Sequence, residues 1–271
     1  MKIAIGWIMW FVLILVVLVW YEWPESRVVA TICDVGQGDG MLVSQGFSQM
    51  LVDVGLDDGK INNCLSKGMP FWDRNLEVVI ITHGDSDHMG GLKHLLDTYK
   101  IRSIITTQAA LQKVSEVVGN RVPVSLSWQG QHWEFGKMRS EVLWPKKNVY
   151  FNPQISKVTP GETNRQSLVF RLEINNQESI WFAGDADAFV EEQLVNSNLV
   201  KETTYLKVGH HGSRTSSSEP FLTIVRPRQI WISVGKNNHY GHPSREVMDL
   251  FIRMKIPVSR TDELGTFRKL F

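Results

Sequence analysis

Apolar and polar positions divide the chain into two materials. From residue 3 to residue 21 it is continuously apolar apart from Gly6, with Lys2 ahead and Glu22, Glu25 and Arg27 behind. A run of this length predicts a helix able to cross the ~30 Å hydrocarbon core of a bilayer. Trp20, Tyr21 and Trp23 stand where an interfacial aromatic belt would sit. A cleaved signal peptide is the competing reading. No small-x-small site precedes Pro24, and the run exceeds the apolar core of a signal, which favours an uncleaved anchor over residues 1–26. Lys2 and the α-amino group favour an inside N-terminus, so the protein is expected to be a single-pass membrane protein with its remainder outside the cytoplasm.

Beyond the anchor, short apolar runs alternate with amphipathic stretches. Strands are predicted at 28–34, 41–44, 50–53, 78–81, 101–106, 167–174, 180–183, 205–208 and 230–234, and a terminal strand pair near Val258 and Thr266. Helices are predicted at 59–67, 91–99, 108–119, 189–195 and 245–253. The stretch 120–165 reads as short strands around Trp128, Trp133 and Trp144, then a polar loop rich in Asn and Pro. Asn175-Asn176 offers a hairpin turn. Interleaved strands and helices, with some strands joined directly by turns, predict a layered α+β sheet core with outer helices in one domain, residues 27–271.

The formal net charge is +1, so nothing global marks a nucleic-acid binder and any basic groove has to be local. Cys33 lies in an apolar run and is expected to be buried; the two cysteines form no CxxC pair, and a bond between Cys33 and Cys64 stays open.

The chemistry concentrates after the apolar run 78–81. His83, Asp85, Asp87 and His88 fall within six residues at a strand end, followed by Gly90-Gly91. That is where sheet proteins place their sites. Asp185, the pair His210-His211 and His242 also follow strand-like runs. Carboxylates brought together would repel and rise in pKa, and a bound cation relieves this, so the set points to metal. Two ions ~3.5–4 Å apart suit hydrolysis. The carboxylate-rich donors suit Mn²⁺ or Zn²⁺, with Mg²⁺ also compatible. Asp39 and Asp53, at turn and strand ends, are expected to support the ligands from behind. His94 and His132 read as surface or structural.

The motifs carry a resemblance. Asp34-Val-Gly-Gln-Gly-Asp39, Leu51-Val-Asp53-Val-Gly55, Thr82-His-Gly-Asp-Ser-Asp-His-Met-Gly-Gly91, Gly184-Asp185, Lys207-Val-Gly-His-His-Gly-Ser-Arg-Thr-Ser216, Ser233-Val-Gly-Lys-Asn-Asn-His-Tyr-Gly-His-Pro243 and Arg260-Thr-Asp-Glu-Leu-Gly265 occur in order over residues 28–271. Together they resemble the metallo-β-lactamase fold superfamily and, within it, the hydrolase domain of the DNA-internalisation competence proteins of the ComEC type. The resemblance implies a four-layer αββα sandwich with a two-metal site on one edge. By position, His83 and Asp85 would hold one ion, Asp87 and His88 the other, and Asp185 would bridge. Asp85 stands where the broad superfamily has a second histidine. No histidine matches the superfamily's mid-chain ligand; Asn164 and Ser167 occupy that neighbourhood. The last ligand is open among His210, His211 and His242. His210 is assigned to the metal, and His211 and His242 to protonating the leaving oxygen.

The leading expectation is a membrane-anchored two-metal phosphodiesterase or nuclease of the competence, DNA-uptake type, acting on single-stranded or double-stranded DNA. Lys207, Ser213 and Asn238 would bind phosphate oxygens, with Arg214 and Ser216 beside them. The competence proteins carry a multi-helix channel domain that this sequence lacks, so uptake would need a separate channel protein. The rivals are a hydrolase of a small phosphoester or ester, and a non-catalytic accessory subunit of a membrane channel. β-Lactam hydrolysis is not implied, given Asp85 and the missing histidine.

Overall fold

The computed structural model describes residues 2–147, 160–175 and 177–271. Most of the expected polar loop and half of the expected Asn175-Asn176 turn lie outside the described residues. Asn175 itself is placed, its side-chain oxygen accepting from the amides of Gln177 and Glu178 (2.9 and 2.8 Å).

Two seven-stranded sheets form the body of the protein. In the first, the order across the sheet is Phe267–Leu270, Val28–Ile32, Gly40–Gln45, Ser48–Val54, Val78–Ile81, Ile104–Thr106 and Val124–Leu126. In the second it is Val258–Arg260, Gln229–Ile232, Tyr205–Lys207, Ser179–Phe182, Val169–Glu173, Met138–Trp144 and His132–Phe135. Each sheet is part antiparallel and part parallel. The hairpin segments pair antiparallel because a tight turn joins them, whereas the parallel pairs need a crossover, here made by helices.

The alternation along the strands decides the layers. Ala30, Ile32, Val43, Met50 and Ile80 of the first sheet face Met138, Phe170, Leu172, Phe182 and Trp231 of the second in one buried core. The opposite face of the first sheet packs on helices Lys60–Gly68, Leu92–Thr98 and Leu111–Val118. The opposite face of the second packs on Ala188–Asn196, Glu219–Val225 and Arg245–Arg253. Helix, sheet, sheet, helix is the expected αββα sandwich.

Three expectations need correction. The terminal strands do not pair with each other: Val258–Arg260 extends the second sheet beside Gln229–Ile232, and Phe267–Leu270 closes the first beside Val28–Ile32. The expected strand 101–106 is two pieces, Lys100–Ile101 in a small ladder with Asn75–Leu76, and Ile104–Thr106 in the first sheet. Helix Glu219–Val225 is an addition; at seven residues it is too short for a periodic signal, though Ser218-Glu219-Pro220 is a start signature. The cysteine question closes in favour of pairing: Cys33 and Cys64, both buried, are bonded with their Cα atoms 5.5 Å apart. The bond ties the end of the first strand to the helix that packs on it.

Ahead of the sandwich stands one helix, Lys2–Tyr21. From Ile5 to Tyr21 nearly every side chain on it is exposed, Trp7, Trp10, Phe11 and Trp20 among them. The first turn's side chains lie outside the described residues, and among the described residues no helix is long and apolar enough to cross a membrane.

Candidate metal centre

The site forms where the strands of the two sheets end. Strand Val78–Ile81 is fully buried and releases Thr82 at its carboxyl end. There the neighbouring strand presents Asp53, in the left-handed region (φ 56°). Asp53 accepts from the Thr82 amide and hydroxyl, both at 2.8 Å. This fixes the direction in which His83 leaves the sheet. The short helix Ser86–Met89 then turns Asp87 and His88 back toward the same point. Gly38 lets the neighbouring loop come close: a Cβ there would stand 2.3 Å from the Asp87 carbonyl oxygen, which instead accepts from the Asp39 amide at 3.1 Å.

The second sheet brings its share from separate segments. After Ser179–Phe182, Gly184 takes φ +52°, wedged against Ser167 and Thr82, and delivers Asp185. The Asp185 amide donates to the Ser167 hydroxyl at 3.1 Å. After Tyr205–Lys207, the turn Gly209–Gly212 holds His210 and His211 both at positive φ, 50° and 53°. Consecutive non-glycine residues in that region are strained, and such strain clusters at functional sites. Its effect here is to send the two rings in different directions.

His211 goes inward. Its Nε2 lies 3.2 Å from Asp87 Oδ2 and 3.9 Å from Asp185 Oδ2. His88 Nε2 lies 3.2 Å from Asp185 Oδ1 and 3.9 Å from Asp87 Oδ2. His83 Nε2 lies 3.7 Å from Asp85 Oδ2 and 3.8 Å from Asp185 Oδ2. Asp185 is thus the common neighbour of all three rings. Ligand-type atoms of His83, His88 and Asp185, and of Asp87, His88 and His211, lie close enough together to share an ion. Asp39 joins two further groupings, one with Asp53 and His88 and one with Asp185 and His211.

The far side of each ring decides its tautomer. His211 Nδ1 is 3.0 Å from the Ser233 carbonyl, which only accepts, so Nδ1 carries the proton. His88 Nδ1 is 2.9 Å from Asp53 Oδ2, with the same consequence. His83 Nδ1 is 3.1 Å from the Thr82 hydroxyl, whose own proton goes to Asp53. When the ring is neutral, Nε2 in each case is left with the free lone pair facing the cluster, the arrangement that an outer partner imposes on metal-binding imidazoles. His83 Nε2, His88 Nε2, Asp185 Oδ1 and Asp39 Oδ1 are buried without a hydrogen-bond partner. Buried polar atoms are normally satisfied. Four unsatisfied donor atoms around one point fit divalent metal.

The electrostatics differ from the expectation of raised carboxylates. Burial pushes the Asp185 carboxyl up, but His88 and His211 beside it hold it well below the usual range. Asp39 is likewise pulled down, against burial, by Lys207 and then His211. Burial works against a charged His211, yet Asp185 and Asp39 push it up to about 10. His88 rises well above its ordinary value, against burial, because Asp185 and Asp53 flank it. His83 moves down through burial and the nearby His88. Protons on imidazole thus balance the carboxylates where a cation would otherwise do so.

The cluster opens into a cleft of about 540 Å³ lined by Asp85, Asn164, Arg165, His210, Tyr240 and His242 among others. Here the assignments of the two neighbouring histidines are exchanged: His211 sits with the metal-type ligands, whereas His210 faces the cleft wall. His210 Nδ1 meets Asn164 at 3.3 Å and Thr215 at 3.4 Å, and its Nε2 is 3.9 Å from Asp185 Oδ2. Asn164 stands on the cleft wall and Ser167 behind Asp185. Asp85 accepts from the Thr163 hydroxyl at 3.1 Å. Asn238 ties loop 235–242 together by donating to Gly235 O (3.1 Å) and His242 O (2.6 Å) and accepting from the His242 amide (3.0 Å). Burial and then His210 bring His242 down to about 4, so its ring is neutral near pH 7.

The expected phosphate binders fall elsewhere. Lys207 is buried, 2.5 Å from Asp39 Oδ2 and 3.0 Å from the Val208 carbonyl, and does not line the cleft. Ser213 is buried against Thr215 (3.0 Å). Two cleft residues were given no role from the sequence: Arg165 stands in no motif, and Tyr240 lies within the motif 233–243, where Asn238 and His242 drew the attention.

The comparisons agree with this fold. Residues 34–114 match the metallo-beta-lactamase superfamily. ComE operon protein 3 of Bacillus subtilis is 30% identical over 92% of this chain and 34% of its own length. Competence protein ComA of Neisseria gonorrhoeae is 29% identical over 96% of this chain and 35% of its own. The chain therefore spans about a third of the length of these relatives. Among solved structures, the metallo-beta-lactamase fold protein YhfI of Bacillus subtilis superposes with a TM-score of 0.62 at 12% identity, over 90% of this chain and all of that one. At that identity the likeness shows the fold alone. Residues 34–114 thus match the metallo-beta-lactamase superfamily, the sandwich as a whole has the metallo-beta-lactamase fold, and the sequence is similar to the competence proteins over nearly its full length.

Proposed function

We propose that the protein is a membrane-anchored, metal-dependent phosphodiesterase acting on nucleic acid, with its hydrolase domain outside the cytoplasm. The observation that carries the reading is the set of buried ligand-type atoms on His83, His88 and Asp185, close enough together to share an ion and opening into a polar cleft. His83 and Asp85 would hold one divalent ion, Asp87, His88 and His211 a second, and Asp185 stands between them. When bound, such ions supply Lewis acidity toward a phosphoryl oxygen and an acidified water. Asp53, the Ser233 carbonyl and Thr82 keep the three rings turned inward. Arg165, half in solvent at the cleft mouth, offers a guanidinium to an anionic substrate. His210 lines the same cleft and would protonate the departing oxygen, with the His242 ring beside it, their centroids 5.4 Å apart.

The anchor rests on the exposed helix Lys2–Tyr21. A helix apolar on all sides is stable within a protein core or a bilayer, and the sandwich does not cover this one. The Cys33–Cys64 bond suits an oxidising compartment and agrees with the inside N-terminus that Lys2 favours. DNA passage across the membrane would then require a channel protein as partner.

The test uses the full chain in detergent. Elemental analysis should find about two divalent ions per chain, and single-stranded or double-stranded DNA should be cleaved with Mn²⁺, Zn²⁺ or Mg²⁺. Asp87→Ala should lower cleavage sharply with the fold retained. Metal-loaded protein inert toward DNA but active on a small phosphoester would move the reading to a small substrate, whose size the cleft also suits. Protein without metal or cleavage would leave an accessory subunit.

A further inference from the structure

A second cavity of about 270 Å³ lies beside the metal cleft, lined by Thr107, Ser127, Trp128, Lys146, Lys147 and Gln166 among others. Its position follows from the first sheet. Strands Ser48–Val54, Val78–Ile81, Ile104–Thr106 and Val124–Leu126 lie side by side and parallel. Their carboxyl ends therefore leave one edge in sequence: Asp53, His83, Thr107, Ser127. With neighbouring strands ~4.8 Å apart, the groove begins one strand beyond His83 and ends two strands beyond, roughly 10 Å along the edge. The second sheet closes it from the other side. Gln166 lines the groove and Arg165 lines the metal cleft, so adjacent residues join the two. The Trp144 indole holds that junction by donating to the Arg165 carbonyl at 2.7 Å.

The groove differs in chemistry from the cleft. The cleft is ringed by carboxylates and imidazoles; the groove presents an indole and two lysines. Lys146 and Lys147 are exposed, and Lys147 Nζ lies 4.7 Å over the Trp128 ring. The Trp128 amide donates to Gln131 Oε1 at 3.1 Å, which fixes the residue's place. A π-face with cations at its side is the combination that binds unpaired nucleotides, stacking the base and neutralising the phosphate. With a net charge of only +1, such a local patch is where affinity for a polyanion has to come from.

We infer that this groove is a substrate subsite for single-stranded nucleic acid, seating the nucleotides that flank the phosphodiester held in the metal cleft. The inference rests on the nuclease reading and narrows it to a polymer with unstacked bases. A base stacks on Trp128 in the place that Lys147 Nζ now holds over the ring, Lys147 swings aside to pair, with Lys146, with adjoining phosphates, and the strand continues past Gln166 and Arg165 into the cleft.

Equilibrium binding tests this without cleavage. A fluorescently labelled deoxyoligonucleotide of about 12 nucleotides is titrated into the full chain in detergent with EDTA, and its anisotropy is followed. Trp128→Ala should weaken binding about tenfold. Lys146→Glu/Lys147→Glu, on exposed positions that leave the core intact, should weaken it at least as much. Lys146→Ala/Lys147→Ala should flatten the slope of log K against log salt by about 1.4, the value for two phosphates on a single strand. A duplex of the same sequence, its bases already stacked, should lose little affinity with Trp128→Ala. Wild-type protein that binds the oligonucleotide with affinity equal to that of the variants overturns the subsite and leaves the nuclease reading standing. Wild-type protein that binds no oligonucleotide overturns both. Equal loss on duplex and single strand overturns the stacking role.

Discussion

The two sheets contribute to the same centre in opposite ways. The first supplies His83, Asp85, Asp87 and His88 from one strand end and one short helix, a span of six residues. The second supplies Asp185 and His211 from two strand ends 26 positions apart, brought together only by parallel pairing of Ser179–Phe182 with Tyr205–Lys207. The first half is a local device, in which backbone geometry alone sets neighbouring side chains toward one point. The second is a device of the sheet, in which a residue's role depends on which way a strained turn throws it. Removing one residue from the local set leaves its neighbours in place; removing Asp185 takes away the group that touches all three rings.

Asp185→Ala should therefore have the largest effect, a fall in turnover of about a thousandfold or more together with loss of bound metal by elemental analysis. If Asp87→Ala proves more damaging in metal content, the local set dominates and the contrast between the sheets is wrong. The sharpest comparison lies within the second sheet's turn. His211→Ala should reduce metal affinity by more than the roughly 10–100-fold that losing an outer partner costs. His210→Ala should leave metal content intact and lower turnover by about 10²–10⁴, as for a lost proton donor. Equal metal loss in both would mean that the two left-handed residues do not have separate roles.

This turn also marks where sequence reading stops. The strands at 78–81 and 205–207 were legible because β-branched and apolar residues run unbroken up to a polar break, and the local ligand set was legible for the same reason. Which of His210 and His211 turns inward was not. Adjacent residues point apart in any extended chain, but here both sit at positive φ, and nothing in Gly-His-His-Gly states that. Lys207 misled for a related reason. Next to His210 it reads as a substrate cation, yet it alternates to the buried side of its strand and meets Asp39 from a loop 168 residues earlier. Cys33 and Cys64 lie 31 positions apart, and only the packing of helix Lys60–Gly68 on the first sheet brings them together.

Lys207 and Asp39 bind the halves to each other, since one belongs to each sheet. Both are buried, so Lys207→Met should leave Asp39 with only His211, 3.2 Å away, to offset its charge, and cost up to about 3 kcal/mol in thermal or urea unfolding. The double variant Lys207→Met/Asp39→Leu should recover much of that. A single-variant loss below 1 kcal/mol would mean that the halves hold together by the shared apolar core alone. Within the first half, Cys33→Ser should cost about 3.7 kcal/mol, the loop-entropy value for a closure of this length, measured by unfolding without reductant.

The smallest effect is expected at His94, and it bears on how far the local device reaches. His94 stands six residues beyond His88 on the next helix, the same residue type in the same half. Proximity in sequence would enrol it, but the helix turns it outward. Its ring is about half exposed and pairs only with Asp57 at 3.1 Å, itself exposed. Water screens such a pair, so it contributes between nothing and about 1 kcal/mol. His94→Ala should leave metal content and turnover unchanged and shift unfolding by less than about 1 kcal/mol. A loss of metal here would mean that the centre extends past the Gly90-Gly91 break. The structure opposes this: a Cβ on Gly90 would stand 2.4 Å from the Ser86 carbonyl oxygen and one on Gly91 2.4 Å from that of Val54. The chain passes so close there that the turn carrying Asp87 and His88 is pinned ahead of the helix that bears His94.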